Sequence, residues 1–227
     1  MQLGVPLGML LVGLMVIQWR LALLTGSLLS LLSAVVILTL AQGVRPINWR
    51  LALRIEDVRK VVRAIGVKFG ESSGFYAYTS VILIYFNAHE VSDLLITSTI
   101  SPLIFTLIVS AIMTRVKPTK VLMLGYAIFS LINAFMFRIN PLLLFAFFGM
   151  ADAMAYTPQS LYLVSLFRDD IKHIGAGVSY HVASSLGGLM TYLISILISM
   201  YGLKAGLVAA PALLLMSCIV SMIALLV

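Results

Sequence analysis

The chain alternates long apolar blocks with short clusters of charged or turn-forming residues. A helix that crosses a bilayer takes about 20 mostly apolar residues. Eight blocks of roughly that length can be marked, at 1–18, 21–42, 67–88, 92–114, 120–137, 141–167, 174–200 and 205–227. The breaks between them carry helix-stopping chemistry: Asn87-Ala88-His89-Glu90, Lys117-Pro118, Asn140-Pro141, Arg168-Asp169-Asp170 and Tyr201-Gly202. The apolar residues do not fall into segments of about ten with period-two alternation, so a membrane barrel is not predicted. The pattern predicts an all-α membrane protein of about eight transmembrane helices, with short connections that make neighbours antiparallel. The first block lacks the basic start and the small-residue cleavage pattern of a signal peptide. It reads as a span joined to the next by a hairpin at Gln18-Trp19-Arg20, with Trp19 at interface level.

Only residues 43–66 form a sizeable connection. Leu51, Ile55, Val58, Val62 and Ile65 recur there at helical spacing, with Arg54, Arg59, Lys60 and Arg63 between them. This predicts an amphipathic helix on the inner leaflet, its basic face towards anionic headgroups. The chain is thereby divided into a two-helix block at 1–42, a linker at 43–66 and a six-helix block at 67–227.

Composition agrees. Of 227 residues, 62% are hydrophobic and 10% charged, against about half and a quarter in a soluble domain, and the mean hydropathy is +1.12. That excludes a water-soluble core and also disorder. The single cysteine, Cys218, lies in an apolar run, which leaves neither a disulfide framework nor a cysteine metal site. The twelve methionines are scattered through apolar runs as filler, so no metal or cofactor is expected. The net charge of +7 would suit nucleic acid if it were gathered on one soluble face. Instead Arg45, Arg50, Arg54, Arg59, Lys60, Arg63, Lys68, Arg115, Lys117, Lys120, Arg168 and Lys172 collect on one side of the alternating topology, leaving Arg20, Arg138 and Lys204 on the other. By the positive-inside rule the first side, with both termini, is cytoplasmic. The charge is a topology signal; the partner is a lipid bilayer, not nucleic acid.

Polar groups at membrane depth need a reason, since a charge there costs a few kcal/mol even on lenient scales, about 2.5–3.5. Asp152 stands some 14 residues from the cytoplasmic end of its expected span, about 21 Å at 1.5 Å per residue. Tyr156 and Gln159 follow on the same face. Two readings fit: a stripe lining a wet cavity, where Asp152 binds a cation or exchanges a proton, or a buried helix–helix contact. In the next span Gly177, His181, Ser184 and Gly188 share a face; small residues at this spacing read as close helix packing, while the imidazole suits a substrate carboxylate or a proton relay. Glu71 lines a cavity with Tyr76 and Thr79 beyond it, or pairs with Lys68 three residues earlier. No H-E-x-x-H, G-x-S-x-G or phosphate-cradling glycine loop is present, so no enzyme is predicted.

Several of these residues together resemble the major facilitator superfamily, and within it the metabolite:proton symporter group. Tyr156-Thr157-Pro158-Gln159, Leu166-Phe167, Gly175-Ala176, Tyr180, Ala183-Ser184 and Leu186-Gly187-Gly188 look like the superfamily's tenth and eleventh helices. Glu71, Phe75, Tyr76, Thr79 and Tyr85 resemble the seventh, and Gln2-Leu3-Gly4-Val5-Pro6-Leu7-Gly8 with Trp19-Arg20 the fifth and its exit. The resemblance implies helices five to twelve, with the first four absent. A full transporter of twelve spans needs roughly 400 residues. There are departures. Thr114-Arg115 stands where a gating motif has an Asp-Arg pair, Ser165 and Asp170 stand where relatives place Glu and Arg, and Asp152 stands at a histidine position. The implied function is proton-coupled secondary transport of a small organic solute, a carboxylate or zwitterion, across the plasma membrane. Alternating access would move it past a pathway of Asp152, Tyr156, Gln159 and His181, with Glu71, Tyr76 and Tyr180 behind. The alternative is a truncated, non-transporting membrane protein, or a subunit for which a second chain supplies the missing helices.

Overall fold

The computed structural model describes residues 19–40 and 55–227. Every regular element among them is helical: α1 (Trp19–Leu40), α2 (Ile55–Tyr78), a short 3₁₀ helix (Val81–Tyr85), α3 (Ala88–Ile112), α4 (Pro118–Ala134), α5 (Pro141–Ser165), α6 (Lys172–Tyr201) and α7 (Leu203–Leu226). Four helical stretches are long and apolar enough to cross a bilayer: Glu90–Ile112, Pro141–Ser165, Lys172–Tyr201 and Leu203–Leu226. The described residues are thus all-helical, with helices whose length and composition suit a membrane-embedded protein. The first expected span, the hairpin at Gln18 and the linker up to Arg54 lie outside the described residues.

The expected breaks are the observed helix ends, for local reasons. Asn87 accepts from the Glu90 amide at 3.1 Å while the Glu90 carboxylate accepts from the Asn87 amide at 3.2 Å, a reciprocal cap that starts α3. Asn140 caps α5 through the Leu142 amide at 3.0 Å. Pro118 and Pro141 occupy first-turn positions, where the missing N–H costs nothing. Gly202, at φ 81°, turns the chain between α6 and α7 in a conformation that disfavours side chains.

The boundary expected between a linker ending at 66 and a span starting at 67 is not a break, for α2 runs unbroken from Ile55 to Tyr78. Continuity follows from the absence of any stop signal there: Gly66 and Gly70 are tolerated because their hydrogen positions face α7 at close range. A Cβ on Gly66 would meet Ala224 at 2.8 Å, and one on Gly70 would meet Ser221 at 2.8 Å. Part of the expected basic face is also reassigned. Arg63 does not reach for headgroups but donates to the Ala224 and Leu225 carbonyls at 3.1 and 3.2 Å, tying a cation to the C-terminal end of α7. Val58 and Val62 are exposed, and Asp57, Ala64 and Val67 on the opposite side are buried.

Helices α2–α7 form a bundle in which α2 is central, packing on α5, α6 and α7, with α3 and α4 closing on α5. One end of the core is aromatic: Tyr78 stacks on Phe148 with centroids 4.4 Å apart and meets Phe145 edge-on at 5.6 Å, with Phe129 against Phe148 at 5.7 Å. The seams depend on missing side chains. A Cβ on Gly187 would lie 2.7 Å from the Ser72 backbone, and one on Gly125 2.9 Å from the Met154 and Ala155 backbone. On α1, Leu24, Leu28, Leu31 and Leu32 are each about 60% exposed.

Candidate functional site

Four helices line a partly open cavity of about 100 Å³ near the middle of the bundle. Helix α2 contributes Lys68, Glu71, Ser72, Phe75 and Tyr76, a single face by the three- and four-residue spacing. Helix α5 contributes Phe148, Asp152, Ala153 and Tyr156 in the same way. Ser98, Pro102 and Thr106 come from α3, and Tyr180 and Ser184 from α6. Pro102 sits inside α3, where its ring denies the backbone a hydrogen bond and loosens the helix beside the cavity.

At one wall stands a lysine that the sequence reading assigned to the cytoplasmic charge belt. Lys68 is 1% exposed. Its ammonium pairs with the Glu71 carboxylate and donates to Gln159 Oε1 at 3.1 Å. It also lies 4.3 Å from the Tyr180 ring centroid and 5.1 Å from that of Tyr156, so both aromatic faces attract it. Glu71 further accepts from the Ser72 hydroxyl at 3.3 Å. Gln159 passes the network on, donating to the Tyr126 hydroxyl at 2.9 Å, and that hydroxyl in turn donates to the Val67 carbonyl. Each charge therefore has a partner, the condition under which a buried ion pair is tolerable.

Asp152 differs. It stands mid-helix in α5, is buried, and its Oδ1 has no hydrogen-bond partner. It lines the same cavity as Lys68 and Glu71. Three buried side-chain atoms among the described residues lack a partner: this one, Tyr162 Oη and Arg168 Nε. Of these residues only Asp152 borders the cavity.

Beyond the Lys68–Gln159–Tyr180 layer, towards the ends of α5 and α6 at Ser165 and Lys172, a second cleft of about 210 Å³ is bordered by Gln159, Leu163, Ala176, Gly177 and Tyr180. Gln159 and Tyr180 thus form part of a partition between two spaces. At that same end Arg168 reaches Asp57 at 3.4 Å and Asp170 at 3.5 Å, linking α2 to the α5–α6 connection.

Of the residues singled out from sequence, Asp152, Tyr156, Glu71, Tyr76 and Tyr180 line one cavity, and Gln159 backs it through Lys68. His181 does not join them. It is exposed, its ring 5.6 Å from that of Tyr180, and it lies outside the cavity lining. The packing seam expected along Gly177, His181, Ser184 and Gly188 is displaced as well. A Cβ on Gly177 or Gly188 would meet nothing within 4 Å, and α6 packs instead through Ser179, Ala183, Gly187 and Ile194. Thr79 donates back to the Phe75 carbonyl at 2.7 Å and Tyr85 to the Leu203 carbonyl at 2.8 Å, so neither hydroxyl serves the cavity. The sequence reading missed Asn133, which is fully buried, accepts from Tyr78 at 3.1 Å and donates to Cys218 at 3.7 Å. Its signal was available: an amide in the last turn of an apolar helix needs a partner.

No family model, curated protein or solved structure matches this chain.

Proposed function

We propose that this chain is a secondary transporter component that carries a small organic solute, a carboxylate or zwitterion, in exchange for or together with protons. The observation that carries the reading is the partly open cavity at mid-helix depth, lined by two carboxyls, a lysine and three tyrosines, with one buried carboxyl oxygen left without a partner. Polar groups placed so expensively at membrane depth usually face a substrate or ion pathway. The partition of Lys68, Gln159 and Tyr180 between two spaces suits alternating access, in which a midplane site opens to one side at a time. In this reading the chain sits in the plasma membrane with cytoplasmic termini and a bundle of the major facilitator type. The tyrosines and Gln159 orient the solute, and Asp152 carries the exchangeable charge. No chemical reaction is assigned to the site.

A second reading is a non-transporting membrane protein, or a subunit completed by another chain. It is favoured by the open stripe of α6 at Gly177 and Gly188 and by the exposed flank of α1, since rocking needs a second bundle against which to move.

Reconstitution into liposomes under an imposed pH gradient tests the proposal. Gradient-driven uptake of at least one solute from a panel of carboxylates and zwitterions, lost in Asp152→Asn, is the expected result. Absence of uptake for the whole panel by folded protein favours the second reading.

A further inference from the structure

The cavity's one ammonium is held by partners, and one of its carboxyl oxygens is not. The Lys68 ammonium is held by Glu71, Gln159 and the faces of Tyr156 and Tyr180, so it is not presented to an incoming anion. A carboxylate seeking Lys68 must compete with Glu71 for a buried pair, and displacing that acid leaves its charge uncompensated. The Ser98 hydroxyl nearby is engaged too, donating to the Leu95 carbonyl at 2.8 Å. The Asp152 carboxyl lines the same cavity, and its buried Oδ1 has no partner. An unsatisfied buried acceptor calls for a donor, and a charged donor gains most from it. The rings of Tyr76 and Phe148 on the same wall add faces that attract cations and apolar area for a carbon skeleton.

We infer that the cavity selects solutes bearing a protonated primary or secondary amine, whose N–H donates to Asp152 while the carbon skeleton lies against the aromatic wall. This rests on the reading of the cavity as a solute site and narrows it: a zwitterion or an amine fits, a simple carboxylate does not. The Lys68–Glu71 pair is a fixed part of the wall and not the recognition element.

The test is calorimetric titration of the full chain in lipid nanodiscs with three probes sharing a four-carbon skeleton: butylamine, 4-aminobutyrate and butyrate. Butylamine and 4-aminobutyrate are expected to bind and butyrate to show no heat. Asp152→Asn is expected to weaken amine binding by at least about tenfold, the ratio for losing one charge-assisted hydrogen bond, whereas Asp152→Glu keeps the charge and retains binding. Butyrate binding as well as butylamine, no binding by either amine, or amine affinity unchanged in Asp152→Asn overturns the inference. Should Asp152→Asn not fold, the ranking of the three probes on the unaltered chain decides. Gradient-driven uptake of a carboxylate with no amine bound would overturn this inference alone and leave the transport proposal standing. Neither uptake nor binding of any solute overturns both.

Discussion

Two stripes of polar and small residues, one on α5 and one on α6, have the same helical spacing and opposite surroundings. Along α5, Asp152, Tyr156 and Gln159 face inward, where α2, α3 and α6 converge and charges, an amide, hydroxyls and aromatic rings meet. Along α6, Gly177, His181, Ser184 and Gly188 follow the same rhythm, yet of the four Ser184 alone reaches the cavity, while a Cβ on either glycine would meet nothing and the histidine is exposed. Spacing defines a face of a helix and nothing more. What the face meets is decided by the neighbouring helices. On α6 the contact is made by the adjacent row, where Gly187 lets α2 approach until a Cβ would touch the Ser72 backbone.

The inward stripe depends most on its ion pair. In Lys68→Met the Glu71 carboxyl keeps its burial and loses its counter-charge, which is expected to cost about 3–5 kcal/mol. Thermal unfolding in detergent should show this as a large drop in Tm, recovered in good part by Lys68→Met combined with Glu71→Leu, because two apolar groups need no partners. A loss below about 1 kcal/mol in the single variant would mean that water reaches the pair, and the contrast between the two stripes would then fail.

The next test sets neighbours on α6 against each other. Gly187→Ala forces a Cβ to within 2.7 Å of the Ser72 backbone and is expected to destabilise by about 1–3 kcal/mol, as overpacking does. Gly188→Ala meets nothing and should stabilise by about 0.5–1 kcal/mol through helix propensity alone. Opposite signs from adjacent residues locate the seam; equal effects would erase it.

Why the sequence revealed one stripe and mislocated the other is a matter of which signals are local. Helix ends were legible because Asn87, Asn140, Pro118, Pro141 and Gly202 act through their own backbone neighbours. Asp152 was legible because a charge in the middle of an apolar block has few cheap explanations. Lys68 was assigned to the charge belt because hydropathy rises only after Arg63, which placed a boundary where α2 in fact continues. With the helix starting at Ile55, Lys68 lies near its middle and its burial follows. The covering of Gly187 but not Gly188 depends on the crossing of α2 and α6, a non-local fact that no periodicity encodes. Asn133 was overlooked for a related reason, since its partners Tyr78 and Cys218 belong to helices distant in sequence.

A smaller effect probes how the ion pair is anchored. Tyr126→Phe removes the hydroxyl that accepts from Gln159 and leaves that amide donor without its partner. The expected loss is about 1 kcal/mol, the usual net worth of one hydrogen bond. Because Gln159 also accepts from Lys68, solute affinity should fall modestly while Asp152-dependent selectivity is retained. An equal loss of both would mean that the network positions Asp152 as well as Lys68.

The smallest expected effect is the most telling for the outward stripe. His181→Ala is expected to change stability by less than about 0.5 kcal/mol, as exposed substitutions away from caps and ion pairs do. It should also leave uptake in liposomes unchanged, since its ring meets Tyr180 edge-on and lies outside the cavity. A loss of uptake comparable to that of Asp152→Asn, at unaltered stability, would say the opposite. In that case the open face of α6 is covered in the working protein by further helices, and His181 forms part of a pathway completed across that contact. Repeating the assay with His181→Gln separates the two roles such a histidine can play. An amide restores a hydrogen bond but cannot relay a proton, so rescue by Gln would assign His181 to solute binding, and failure of rescue to proton movement.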